Sequence, residues 1–105
     1  MSAEAATDEL DPESIEGVAA RWLAAEQELA RGSGNPERTE GLARELSDRY
    51  DALIRTAGRE ELRLAWEAAR RHQGRQEMGS EAWADARRLA ELLHAEYQAS
   101  GLDEK

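Results

Sequence analysis

Paired start and stop signals for helices divide this chain into four segments. Stretches with helical hydrophobic spacing open at Asp11-Pro12, Asn35-Pro36, Gly58 and Ser80. Glycines follow their ends at Gly32, Gly58, Gly74 and Gly101. An Asx or Ser N-cap, a proline in the first turn and a glycine past the last turn are the preferred residues at helix boundaries. The sequence therefore predicts an all-α fold, a compact four-helix bundle made of two helical hairpins.

The composition supports helices and argues against strands. Twenty alanines and twelve leucines stand against two isoleucines and one valine, and β-branched residues are those that strands prefer.

Cysteine is missing, which excludes disulfides and thiolate metal sites. No apolar run reaches transmembrane length, and the N-terminus lacks the layout of a signal peptide. We therefore expect a cytoplasmic protein, and thirteen arginines among fourteen basic residues suggest a bacterial one.

The length of 105 residues fits one domain. We expect residues 1–10 to form a flexible, disordered acidic tail, residues 11–101 to form the four-helix domain, and residues 102–105 to form a flexible C-terminal tail. The predicted helices span residues 12–31, 36–57, 59–73 and 81–99. The second and third helices are separate because their apolar stripes point more than about 100° apart, and a straight helix through Gly58 cannot bury both.

Because the chain has no phenylalanine, we expect Trp22, Trp66 and Trp83 to anchor the core.

The charge is strongly acidic and unevenly distributed. The net charge is −9; residues 1–52 carry 5 basic and 13 acidic side chains, and residues 53–105 carry 9 and 10. An acidic field repels phosphate backbones, so nucleic acid is disfavoured as the primary partner. The lack of a long apolar segment likewise predicts no membrane partner.

Three residues could form a carboxylate-rich metal site. Glu26 lies within ~30° of the centre of the apolar stripe of the first helix, and Glu91 and His94 have the i, i+3 spacing that di-iron bundles use. Together with a second subunit they predict a ferritin-like site for iron or another divalent metal. The alternative is that Glu26 reaches solvent or a neighbouring arginine. Glu91 also points ~140° away from the stripe of its own helix, whereas a metal site in the bundle core needs its ligands to face inward.

An arginine row on the third helix is the first candidate for a partner-binding surface. Arg59, Arg63 and Arg70 lie within ~40° of one another beside Trp66. Guanidinium groups next to an indole can bind a carboxylate ligand, a phosphate or an acidic partner segment. The alternative is that they pair with the acidic first half of the same chain.

Two leucines extend this candidate surface. Leu64 and Leu92 lie on the far sides of their helices from the core stripes. With the alanine-rich outer sides of these helices, they could form a flat interface with another helix. We therefore include both among the partner-binding residues.

No catalytic constellation is visible. The chain has no cysteine, and its six serines occupy tails, caps, loops or exposed positions without a base beside them. We expect a small non-enzymatic protein without a cofactor that acts by protein–protein contact and is regulatory and self-associating. Its partner is either a second copy, which gives a homodimer, or another protein that it regulates. The alternatives are the metal-binding bundle described above and a small-ligand binder with a pocket beside the tryptophans.

Overall fold

The protein is an all-α four-helix bundle. A computed structural model describes residues 10–32 and 34–102, with the side chain of Leu102 excepted. Its helices are α1 (Ile15–Arg31), α2 (Pro36–Thr56), α3 (Arg59–Gly74) and α4 (Glu81–Leu102). No strand occurs in this part of the chain. The predicted fold class is thus confirmed, and the tails expected at residues 1–9 and 103–105 lie outside the described residues.

Helix α1 begins three residues later than the sequence predicts. Ser14 is the N-cap, and its Oγ accepts a hydrogen bond from the Gly17 N–H at 3.0 Å. Asp11 caps a preceding turn instead: its Oδ1 accepts from the Glu13 N–H at 2.9 Å. The predicted start at Pro12 is wrong because two candidate caps stand three residues apart and only the second one opens the helix.

The turn before α1 folds back over the helix. A Cβ atom at Gly17 would lie 1.8 Å from the carbonyl oxygen of Asp11, so only glycine admits this approach. Leu10, which the sequence assigns to the tail, is 6% exposed and belongs to the hydrophobic core. The turn therefore seals one end of the bundle with an apolar side chain.

Helix α2 and the break after it follow the sequence closely. Asn35 caps α2, and its Oδ1 accepts from the Glu37 N–H at 3.1 Å. Ala57 and Gly58 are extended and separate α2 from α3, as the diverging stripes predict. Gly32 takes the left-handed conformation, with φ 70°, that a helix C-cap favours.

Two of the predicted stop signals are wrong. Gly74 is the last residue inside α3, and Gly101 lies inside α4, which continues to Leu102. The Arg59 guanidinium packs closely on α4 at Gly101, where a Cβ would lie 2.9 Å from the end of that flexible side chain. A glycine near a helix end thus marks either a C-cap or a close approach, and local sequence does not distinguish them.

Helix α1 is the central element of the bundle. The most extensive contacts are within the hairpins α1–α2 and α3–α4, and α1 also packs on α3 and α4. Gln27 bonds to Asp85 and Arg31 pairs with Glu81, so α1 and α4 run antiparallel. The centre of the core contains aliphatic side chains that are almost completely buried: Val18, Ala19, Ala69, Leu89 and Leu93.

The tryptophans lie at the edge of this core. Trp22 and Trp66 are half-buried and pack against it, and Trp83 is half-buried beside the Arg87 guanidinium. The expectation that the tryptophans anchor the core is confirmed for Trp22 and Trp66, which pack against it from the edge, and not for Trp83. None of the three reaches the centre, where alanines such as Ala19 and Ala69 let the helices approach closely. That leaves little room for a large ring between them.

Candidate functional site

A stack of aromatic rings lies between α3 and α4. The Trp66 ring lies 4.5 Å from the His94 ring, centroid to centroid, and 5.9 Å from the Tyr97 ring, with 14° between the planes of Trp66 and Tyr97. All three side chains are half-buried. Because α3 and α4 pack closely, His94 and Tyr97, one turn apart on α4, both reach Trp66.

Two arginines of α3 cover this stack. The Arg59 Cζ lies 4.4 Å from the centroid of Tyr97, and the Arg70 Cζ lies 5.3 Å from that of Trp66. Guanidinium groups over aromatic faces are stabilised by cation–π attraction and restricted in orientation. We call this set the Arg–aromatic surface; it consists of Arg59, Trp66, Arg70, His94 and Tyr97.

No carboxylate of the described residues pairs with Arg59 or Arg70. Neither forms an ion pair within residues 10–32 and 34–102. Arg87 is different: it lies 5.8 Å over Trp83 but also donates to Glu91 at 3.1 Å. Within the described residues, the Arg–aromatic surface therefore presents two guanidinium groups without an ion-pair partner on an aromatic support.

Ion pairing separates Arg63 from the other two arginines of the predicted row. Arg63 donates to the Glu60 carboxylate and, at 2.6 Å, to Glu67. The hydrogen bond from Arg63 lowers the pKa of Glu60, and the same bond raises the pKa of Arg63. Of the three predicted arginines, Arg59 and Arg70 join the surface, while Arg63 is neutralised beside it.

The two predicted leucines do not join this surface. Leu64 is 50% exposed but lies roughly 160° around α3 from Trp66. Leu92 is half-buried and packs against the core. Its predicted exposure is wrong because α1 packs across that side of α4, a contact that the pattern of α4 alone does not reveal.

The predicted metal ligands are engaged separately. Glu26 is exposed and accepts from the Trp22 Nε1–H at 3.3 Å. Glu91 is exposed and pairs with Arg87, and His94 stacks on Trp66. Within the described residues, no group of three or more histidine or acidic side chains is placed to hold a metal ion. One chain therefore does not bring these three residues together.

The placement of Glu26 corrects the predicted stripe of α1. The buried side of this helix includes Val18 and Ala25, which lie roughly 80–100° around the helix from Glu26. Trp22 and Leu29 are only half-buried, so the side that they share with Glu26 is the rim of the bundle. The carboxylate therefore reaches solvent, which is the alternative left open by the sequence.

Sequence reasoning missed the contribution of α4 to the site. The sequence pattern of α4 suggests His94 only as a metal ligand and does not indicate that Tyr97 meets Trp66. The signal present in the sequence was the spacing of Arg59, Trp66 and Arg70 on one side of α3. Which residues of α4 oppose that side depends on the register between the two helices, which no local pattern specifies.

Comparison with known proteins assigns no family. The chain matches no family model, no curated protein and no solved structure. Across the described residues, no helix combines the length and the apolar character of a membrane span. The functional assignment therefore depends on side-chain geometry.

Proposed function

We propose that this chain is a non-enzymatic, self-associating regulator of the cytoplasm that acts by protein contact. Its contact surface is the Arg–aromatic surface. The surface binds acidic side chains on α2 of a second copy, which gives a homodimer.

The observation that carries this proposal is the pair of guanidinium groups on the aromatic stack. The chain has 23 acidic and 14 basic side chains, yet Arg59 and Arg70 have no carboxylate partner among the described residues. Arginine, tryptophan and tyrosine are the residues most enriched at the energetic centres of protein interfaces. Because stacking already restricts both guanidinium groups, binding costs less side-chain entropy.

The acidic partner surface lies on α2. Glu37, Glu45 and Asp48 are exposed and form no ion pair with described residues, and they lie within ~80° of one another around the helix, away from the core. We call these three residues the acidic line. The net charge of −9 disfavours the phosphate backbone as the alternative occupant of the Arg–aromatic surface.

The spacing of the two surfaces is complementary. Arg59 and Arg70 are eleven residues apart on α3, and Glu37 and Asp48 are eleven residues apart on α2. At a helical rise of 1.5 Å per residue, each pair spans about 16 Å. One helix laid along the other can therefore form both ion pairs, and a two-fold axis repeats the contact in the reciprocal direction.

Sedimentation equilibrium between about 10 and 500 µM tests this proposal. We expect a monomer–dimer equilibrium that shifts towards monomer between 50 and 500 mM salt, because the screening length of charge interactions falls from about 14 Å to about 4 Å over this range. The double variant Arg59→Glu/Arg70→Glu should raise the dissociation constant at least about tenfold, because each attraction becomes a repulsion.

Two further variants separate this contact from net charge. Arg21→Glu/Arg71→Glu changes the charge by the same amount at exposed positions on α1 and on a side of α3 that lies about 140° from Trp66, and it should leave the dimer intact. Adding Glu37→Arg/Asp48→Arg to the α3 double variant should restore association. A strict monomer over the whole range, or equal dissociation in the Arg21/Arg71 control, contradicts the proposal.

A further inference from the structure

A cleft separate from the Arg–aromatic surface opens where α1 crosses α4 and the end of α3. Its volume is about 460 Å³, within the range of roughly 300–1,000 Å³ that small-molecule sites occupy. Its apolar lining includes Leu10, Leu23 and Leu89, and none of the three tryptophans lines it. It is therefore not the tryptophan pocket that the sequence suggested.

The cleft exists because alanines oppose one another across the two helices. Ala20 and Ala24 of α1 line one wall, and Ala82 and Ala86 of α4 line the other. Side chains of one carbon leave space between helices where leucines would fill it. The space is mostly apolar, and it suits a hydrocarbon chain.

The charged side chains that line the cleft favour a negatively charged ligand. The Asp85 carboxylate is compensated, since its Oδ1 accepts from Gln27 at 2.7 Å and from Arg88 at 3.2 Å. Arg21 also lines the cleft and forms no ion pair with any described residue. An apolar cleft with a guanidinium that has no ion-pair partner among the described residues is complementary to an apolar chain that ends in a negative group.

We propose that this cleft binds a monocarboxylate amphiphile, with its chain among the alanine and leucine side chains and its carboxylate on Arg21. The net charge of −9 repels anions at long range. At physiological ionic strength that field is screened beyond about 8 Å, so Arg21 determines the preference at contact. This site is independent of the dimer interface proposed above.

Titration calorimetry with decanoate, at concentrations where light scattering shows it to be monomeric, tests the site in the full chain. We expect one saturable site per chain with a dissociation constant below about 1 mM. Each methylene removed should weaken binding about fourfold, so octanoate should bind about fifteenfold more weakly. Decylammonium should not compete, because its charge matches that of Arg21.

Two pairs of variants locate the ligand. Arg21→Gln should weaken decanoate binding about threefold to tenfold, and Arg38→Gln, an exposed arginine outside the cleft, should not change it. Ala24→Met fills the cleft from an exposed position and should abolish binding, whereas Ala30→Met on the same helix should not.

Saturable binding that persists unchanged in Ala24→Met overturns the proposal, as does the absence of saturable decanoate binding below about 1 mM. Equal binding of decanoate and decylammonium overturns the assignment of Arg21 as the residue that binds the carboxylate. Circular dichroism melts of each variant confirm that the fold is retained, since Ala24, Ala30, Arg21 and Arg38 are not in the buried core.

Discussion

One buried tyrosine connects α2 to α4, a helix with which α2 has few other contacts. The Tyr50 ring of α2 is buried and stacks on Trp22 of α1 at 5.4 Å. Its hydroxyl donates to Glu96 of α4 at 2.9 Å. One side chain therefore joins three helices, and its environment differs strongly from water.

The ionisation of Tyr50 should limit stability in alkali. Burial and the hydrogen bond to Glu96 raise the pKa of the Tyr50 phenol above its ordinary 10.0. The stabilisation is complete below the unfolded pKa and is lost as pH rises through the folded one, so the free energy of unfolding should fall from about pH 10 upward. Urea denaturation between pH 8 and 11 measures this fall.

The variant Tyr50→Phe removes the titrating group. It should lose about 1 kcal/mol at pH 8 because the Glu96 hydrogen bond is gone. Above pH 10 its stability should fall by about 1.4 kcal/mol less per pH unit than that of the parent. An unchanged alkaline slope in this variant contradicts the assignment.

Two helical glycines should respond oppositely to alanine. At Gly17 the added methyl group meets the Asp11 carbonyl, so Gly17→Ala should destabilise the fold by about 1–3 kcal/mol or more. At Gly41, inside α2, nothing lies within 4 Å of the new atom, and Gly41→Ala should stabilise by about 0.5–1 kcal/mol. The denaturant midpoints of the two variants measure both changes in stability. A Gly17→Ala variant as stable as the parent contradicts the close approach of the Asp11 carbonyl.

At the scale of elements, α2 is the least supported helix. It packs mainly on α1, whereas α1 also contacts α3 and α4. Elements with few tertiary contacts open first in native-state fluctuations. The caps of α2 should therefore affect its local opening more than they affect the rest of the molecule.

The variant Asn35→Ala tests this expectation. It removes the acceptor of the Glu37 and Arg38 N–H groups and should cost about 1 kcal/mol. In hydrogen exchange, the amides of α2 should lose protection while those of α3 and α4 change less. Asn35→Asp retains the acceptor and serves as the matched control. An equal loss of amide protection across all helices of Asn35→Ala argues against separate opening of α2.

At the scale of the molecule, charge repulsion opposes folding. The net charge is −9, and the side chains of the described ion pairs are 35–79% exposed. Exposed pairs contribute about 0–1 kcal/mol each, whereas like charges repel throughout the compact state. The balance should favour stabilisation by salt.

Thermal melts between 10 and 150 mM NaCl measure this balance. Tm should rise by about 3 °C, which corresponds to less than about 1 kcal/mol for a domain of this size. The melts are run at a protein concentration below the dissociation constant of the proposed dimer, so that they report on the monomer. A fall in Tm over this range shows that ion pairs, rather than repulsion, dominate the electrostatics.

The sequence by itself determined the number of helices, the break at Gly58 and the caps at Asn35 and Ser80, because these follow from backbone preferences within a few residues. It also placed Arg59 and Arg70 on one side of α3. Only the tertiary structure decided that His94 and Tyr97 oppose Trp66, that Leu92 is covered and that alanines of α1 and α4 leave a cleft. Those features depend on the register and side on which helices meet, which is set by packing of the whole core.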